Sequence, residues 1–313
     1  MGKFKDTSDI FDSLIPENKI NVKDEKTARF IIDTYGYYNV INAYRDLLKD
    51  NEKEFEYFYN LFQFDQALKS IVLKYILLIE THYKHVLSKA LSEEIGESVR
   101  QYLNVKNYKG SAKSNLSKAV NKINFNEKPM SSYTSEKQGI DFPPWIFLKS
   151  LPFGNSIKIY TISKADIKDR VANEMITNTK GFKIDDKKRI FIDNIEFLRQ
   201  YRNKLAHGNR LINHKVKKKL NYNDCQKLSK TRYVSIEQFK KGIGESDLLA
   251  LFYSIMILTK SIEQQDKFLT ELFSLFEDYE VVDNQKFIDI ILKVSNLPNN
   301  FQDIMLDARI IWR

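Results

Sequence analysis

The chain has 313 residues, with 50 Lys and Arg against 41 Asp and Glu, a net charge of +9 and a pI near 9.2. That length can bury a sizeable core as one large domain, and the modest basic surplus suits a polyanionic partner without reaching histone-like density. Only 10 Gly and 6 Pro leave too little punctuation for a sandwich or barrel, and the single cysteine, Cys225, rules out an intramolecular disulfide and a cysteine-rich zinc site.

The first residues, MGKFKDTSDIFDSL, show neither an apolar signal stretch nor myristoylation spacing, so a reducing, cytoplasmic location is expected. Asp24 to Arg29 open a helix that runs toward Tyr35, Tyr37, Tyr38 and Tyr44, with Gly36 as a break; aromatic clusters of this kind are ordinarily core. From Phe64 to Leu91 the residues Leu68, Val72, Tyr75, Ile76, Ile79, Tyr83, Val86, Leu87 and Ala90 recur at three and four, which predicts a long amphipathic helix. Residues 104–141 turn basic and polar, with Lys106, Lys109, Lys113, Lys118 and Lys122, and read as a loosely structured insertion holding one short helix. Pro143-Pro144-Trp145 starts a helix that is interrupted at Pro152 to Gly154 and resumes through Ile157 and Ile159.

Asp185 or Asp186 is expected to cap the next helix, whose apolar face is Phe191, Ile195, Leu198 and Leu205 and whose stop is Gly208-Asn209. A second basic, irregular insertion, residues 214–244, follows, and within it Tyr233 to Ile236 fits a short strand or irregular hairpin. Ser246 to Leu275 reads as the second long helix. Its most apolar run, from Leu248, is about twelve residues long against the ~20 that span a bilayer, so it reads as buried core with no membrane partner. A helix over Asn284 to Val294 and a helical tail over Ile304 to Arg313 complete an all-α chain.

The candidate chemistry sits where the chain reads Arg199-Gln200-Tyr201-Arg202-Asn203-Lys204-Leu205-Ala206-His207-Gly208. On a helix Asn203 and His207 share a face, while Arg202 lies about 100° round, beside Arg199 one turn earlier, so cation and imidazole can converge on one phosphate. The same residues also fit a structural role, with the histidine on the helix dipole and the arginine in a surface ion pair. RNA gives the functional reading its content. Its 2′-hydroxyl is a built-in nucleophile, so cleavage needs one group to take that proton and another to protonate the leaving 5′ oxygen, and histidine suits both near neutral pH. Arg202 can hold two phosphate oxygens and stabilise the charge that builds at phosphorus, and Asn203 can orient the imidazole or the phosphate. This chemistry requires no metal or other cofactor. Because acid and base act on opposite sides of phosphorus and one chain supplies one such histidine, a homodimer is the expected active form.

Other residues support or border this motif. Glu80 is expected to face the motif helix and pair with Arg199 or Arg202, positioning the arginine; otherwise it is an exposed helix carboxylate. His82 and His85 lack a clear third ligand, so no metal site is expected. Lys204, Arg210, His214, Lys215, Lys217, Lys218 and Lys219, with Lys106, Lys109 and Lys113, are candidate RNA backbone contacts, plain solvation being the rival. No Gly-rich phosphate loop, Ser-His-Asp order or dinucleotide fingerprint appears, which disfavours an NTPase, a hydrolase or a dehydrogenase.

Four blocks in order carry a family resemblance: Tyr37-Tyr38 to Tyr44; Phe64-Asp65-Gln66-Ala67-Leu68 leading to Ile79-Glu80; Pro143-Pro144-Trp145 with Phe153-Gly154; and RNKLAHGNRLIN from Arg202 to Asn213. Over most of its length the sequence resembles the Abi-like abortive-infection proteins of the AbiD/AbiF type, which carry a HEPN domain. The resemblance implies a HEPN-type helical bundle with helical and basic-loop elaborations over residues 1–313, and a toxin-like endoribonuclease for phage defence. Arg202 and His207 fall in the catalytic positions and Asn203 in the intervening polar one. A small noncoding RNA partner that binds and restrains the protein is implied as well; the type VI RNA-guided CRISPR effectors share the domain. The other readings are a non-catalytic RNA-binding module and a membrane or protein-interaction effector.

Overall fold

Asp24 accepts the Thr27 N–H at 3.1 Å and opens α1, Glu25–Tyr35, which Gly36 closes at φ +82°. This computed structural model describes residues 5–49, 53–128, 130–135, 139–177, 181–206, 208–229, 231, 233–282 and 286–309. The aromatic block after α1 divides. Tyr37 and Tyr44 are buried, whereas Tyr35 and Tyr38 are exposed, so the block is only half core.

The spine is α2, Phe55–Glu94, 40 residues long. It starts earlier than the expected Phe64 because Phe55, Phe58 and Leu61 continue the buried stripe. Along it lie α4, Pro144–Ser150, and α6, Ala165–Met175, with α5, Phe153–Ile162, between them in sequence. Pro152 separates α4 from α5, as the sequence predicts. The motif helix α7, Ile184–Ala206, packs against α6, α5 and α2. Asp185 and Asp186 do not cap it. They lie in its first turn and pair with Lys188 and Arg189, both at 2.8 Å.

The first insertion is not loose. Tyr108, Leu116 and Ala119 are buried, the last two on α3, Ala112–Val120, which packs against α5. Apolar residues interleaved with the lysines give the segment an inner face that its charge run conceals. Within it β1, Thr134–Ser135, pairs antiparallel with β2, Gly139–Ile140. In the second insertion α8, Tyr222–Leu228, and α9, Ile236–Lys240, are helical, and neither the short strand nor the irregular hairpin expected at Tyr233 to Ile236 forms. Ser235 and Gln238 make a reciprocal capping box instead, starting a helix where a strand was expected.

The expected second long helix is two. α10, Leu248–Leu258, ends where the Gln265 amide donates to the Met256 and Thr259 carbonyls at 2.8 and 3.0 Å, and α11, Ile262–Val282, starts after the break. Every residue of α10 is buried, and among the described residues no helix is long and apolar enough to cross a membrane. The last helices are α12, Lys286–Ser295, and α13, Phe301–Asp307. Asn284 and residues 310–313, included in the expected terminal helices, lie outside the described residues.

Candidate functional site

α7 is held from one side. Phe191, Ile195, Leu198 and Tyr201 are fully buried, and the Tyr201 hydroxyl donates toward the His214 and Ser246 carbonyls at 2.8 and 3.0 Å. Fixing that face turns Arg199, Arg202 and Asn203 together into a cleft of about 550 Å³ between α7 and α5. The opposite wall carries Gly154, Asn155, Ile157 and Lys158.

Glu80 lies behind Arg202. It is 8% exposed, which overturns the exposed-carboxylate alternative. Its Oε1 pairs with Lys84 Nζ at 2.7 Å, and its Oε2 stands 3.9 Å from Arg202 Nε. Among the described residues neither Glu80 Oε2 nor Arg202 Nε has a hydrogen-bond partner, so the carboxylate holds the guanidinium by charge across a gap. The Arg202 side chain remains 37% exposed. It is therefore anchored from beneath and open in front. Arg199 takes a different partner, Glu196, through Nε at 2.8 Å and NH2 at 2.5 Å, so of the two arginines only Arg202 pairs with Glu80.

The Phe153-Gly154 block explains itself here. Phe153 packs on Tyr83 of α2, and a Cβ at Gly154 would come within 3.2 Å of Arg199 Cδ. Gly154→Ala is expected to keep the melting point close to that of the parent, because alanine's helix propensity, favoured by up to about 1 kcal/mol, offsets the crowding. The same change obliges the Arg199 stem to give by a few tenths of an ångström; a thermal melt of the variant checks the expected stability.

His207 lies outside the described residues. The chain on either side of it is tied down. α7 ends at Ala206, and Gly208, at φ +66°, donates its N–H to the Leu205 carbonyl at 3.1 Å. Arg210 then grips Asp46 and the Ala43 carbonyl. The N–H groups of Leu211 and Ile212 donate to Asp65 Oδ1 at 2.9 and 2.8 Å. The other oxygen of Asp65 accepts from Tyr44 at 3.0 Å and pairs with Lys69 at 2.6 Å. Asp65 is fully buried, and motif reasoning does not single it out. Its signal was in the sequence: an acid beside Phe64 and three residues before Leu68 occupies the apolar face of α2.

The remaining candidates do not line the cleft. Arg210 is spent on Asp46, Lys218 pairs with Asp193, and Lys219 pairs with Glu245 at 3.0 Å. Lys215 extends its ammonium toward Gly242, and Gln200 accepts the backbone N–H groups of Lys217 and Lys218. Lys217 is exposed and Lys204 half-buried. His214 stacks edge-on against Tyr201, and burial, with Lys204 and Arg210 nearby, holds its imidazole below the ordinary value. At pH 7 it offers a hydrogen bond rather than a charge. Lys106, Lys109 and Lys113 are exposed, and the backbone N–H of Lys109 donates to the carbonyl of Ile162, the last residue of α5. His82 and His85 line a different cleft beside Lys260, and among the described residues no group of three or more His, Cys, Asp or Glu side chains could hold a metal ion.

Fold and site together define an all-α protein whose central motif helix presents a carboxylate-backed arginine to an open cleft. The model of the family described as Abi-like protein matches residues 30–213, more than half of the chain, and the protein belongs to that family. The matched span includes α2, the cleft and the whole RNKLAHGNRLIN motif. Membership suggests a role in abortive infection. Searches of curated proteins and of solved structures returned no match.

Proposed function

We propose that the protein is a metal-independent endoribonuclease of the HEPN type, acting in the cytoplasm as an abortive-infection toxin. The supporting observation is Arg202, held from behind by a buried carboxylate and open toward a cleft that it shares with Asn203. A guanidinium so placed can take two oxygens of one phosphodiester. In the reaction the RNA 2′-hydroxyl gives its proton to one imidazole and its oxygen bonds to phosphorus. The bond to the 5′ oxygen breaks, and that oxygen takes a proton from a second imidazole. His207 supplies one imidazole, and His207 of the partner subunit in a homodimer supplies the other. Arg202 meets the charge that builds on the phosphoryl oxygens, and Asn203 orients the phosphate or the imidazole. The nucleophile belongs to the RNA and the countercharge to Arg202, so no step calls on a metal. A small noncoding RNA, bound through the basic surface, restrains the enzyme until infection.

The expected products are a 2′,3′-cyclic phosphate and a 5′-hydroxyl, formed at the same rate in excess EDTA. End-group analysis of a labelled RNA after incubation with the purified protein tests this. A 5′-phosphate product, or a rate that collapses in chelator, overturns the mechanism. RNA bound but left intact means a non-catalytic RNA-binding module.

A further inference from the structure

The cleft does not stop at the arginines. From Phe153, at the end that faces Arg199 and Arg202, α5 runs to Ile162, about 13 Å at 1.5 Å per residue. Lys158, exposed on the cleft wall, stands midway. At the far end the Lys109 N–H donates to the Ile162 carbonyl at 2.8 Å, and Tyr108 bridges to Ser163, so the first insertion is pinned to the tip of α5. Lys168 of α6 is crowded there. Burial, then the charges of Lys109 and Lys188, push its ammonium below the ordinary range. Lys188 is answered by Asp169 and Asp185 at 2.8 Å each. Among the described residues no carboxylate pairs with Lys109, Lys158 or Lys168. The one carboxylate among the residues lining the cleft, Glu196, is occupied by Arg199.

Lys109, Lys158 and Lys168, contributed by three elements and set from the middle of α5 to its tip, have no paired carboxylate among the described residues, a cost to the free protein that a bound polyanion removes. We propose that the groove between α5 and α7, continued past the tip of α5, is the path of a single RNA strand, with Arg202 and Arg199, then Lys158, taking backbone phosphates inside the groove and Lys109 and Lys168 taking the next ones beyond it. The proposal rests on the ribonuclease reading of the same site. A single strand fits where a duplex does not. The groove lies between two packed helices with the half-buried Ile192 among its lining residues, a surface against which an unpaired base can lie, whereas a paired helix presents its phosphates on a wide convex face.

The test uses the full chain and a short, fluorescein-labelled 2′-O-methyl oligouridine, which lacks the nucleophile and survives incubation. Anisotropy across a salt series is read for the strand alone and for the same strand annealed to its complement. The wild type is expected to prefer the single strand by about tenfold or more. The Lys109→Ala/Lys158→Ala double variant is expected to lose about tenfold in affinity, and its dependence of log K on log salt to flatten by about 0.7 per lysine. Lys267→Ala, in a surface pair with Glu263 on α11, serves as the control and stays within twofold. Unchanged binding by the double variant, or equal binding of the duplex, overturns the path, and if the wild type still cleaves unmodified RNA the ribonuclease reading stands. A wild type that grips the strand in the groove yet never cleaves the unmodified oligomer supports the path and removes the ribonuclease reading. Binding of neither probe removes both.

Discussion

Replacing Arg202 with Ala is expected to slow RNA cleavage by about 10²–10³-fold, the usual cost of losing one preorganised donor to a developing oxyanion. The pair between Arg202 and Glu80 is a loose one: the Arg202 Nε stands 3.9 Å from a carboxylate that Lys84 already engages at 2.7 Å. Removing it therefore leaves Glu80 paired, and the melting point should move little. Arg202→Lys is expected to recover only a small part of the rate, because an ammonium is a point charge that cannot span two phosphate oxygens in one plane. His207→Ala should match or exceed the loss, since proton transfer by a positioned side chain contributes about 10²–10⁴-fold. All three variants should still bind the uncleavable strand through the lysines and Arg199. Single-turnover cleavage, anisotropy and a thermal melt on the three variants decide the matter. Wild-type rates in Arg202→Ala would mean that the cleft holds no scissile phosphate.

Much of this was legible in the sequence, for reasons that differ by element. The long buried stripe of α2 and the Pro152 interruption between α4 and α5 follow from periodicity and from proline's missing N–H, both strictly local. That Glu80 faces the motif helix and pairs with Arg199 or Arg202 could be anticipated, because an acid on the edge of an apolar helix face needs cations; which arginine it meets, and that Lys84 one turn on binds it more closely, only the fold decides. What escaped was nonlocal. The split between α10 and α11 depends on Gln265 reaching back to two carbonyls, and an apolar run cannot announce that. The order of the first insertion depends on Tyr108 and Leu116 finding the core, which a lysine count hides. Arg210 and Lys218 looked like free cations in the sequence and are partnered by Asp46 and Asp193 from distant segments. Charge runs report composition; only the fold says which charges remain available.

Asp65→Ala is expected to have the largest effect on stability of any single change around the site. The carboxylate is fully buried and satisfies four donors: two backbone amides, a tyrosine hydroxyl and an ammonium. Truncation strands Lys69, whose side chain is 13% exposed, without a countercharge, and breaking a buried pair in this way costs about 3–5 kcal/mol. For a chain of this size that corresponds to a fall in melting temperature on the order of 10 °C. Asp65→Asn keeps an acceptor for Leu211 and Ile212 but turns an amide NH₂ toward the Lys69 ammonium, so its loss should be intermediate. The functional consequence follows from where the two amides lie. They fix the chain just beyond His207, while α7 fixes it just before, so loosening Asp65 frees one of the two anchors of the proposed catalytic histidine. At temperatures where Asp65→Asn is still folded, its cleavage rate should therefore fall while its affinity for the uncleavable strand holds. Were Asp65→Ala to melt within about 1 kcal/mol of the parent, below the cost expected for a broken buried pair, the clamp would not be what holds the segment after the motif.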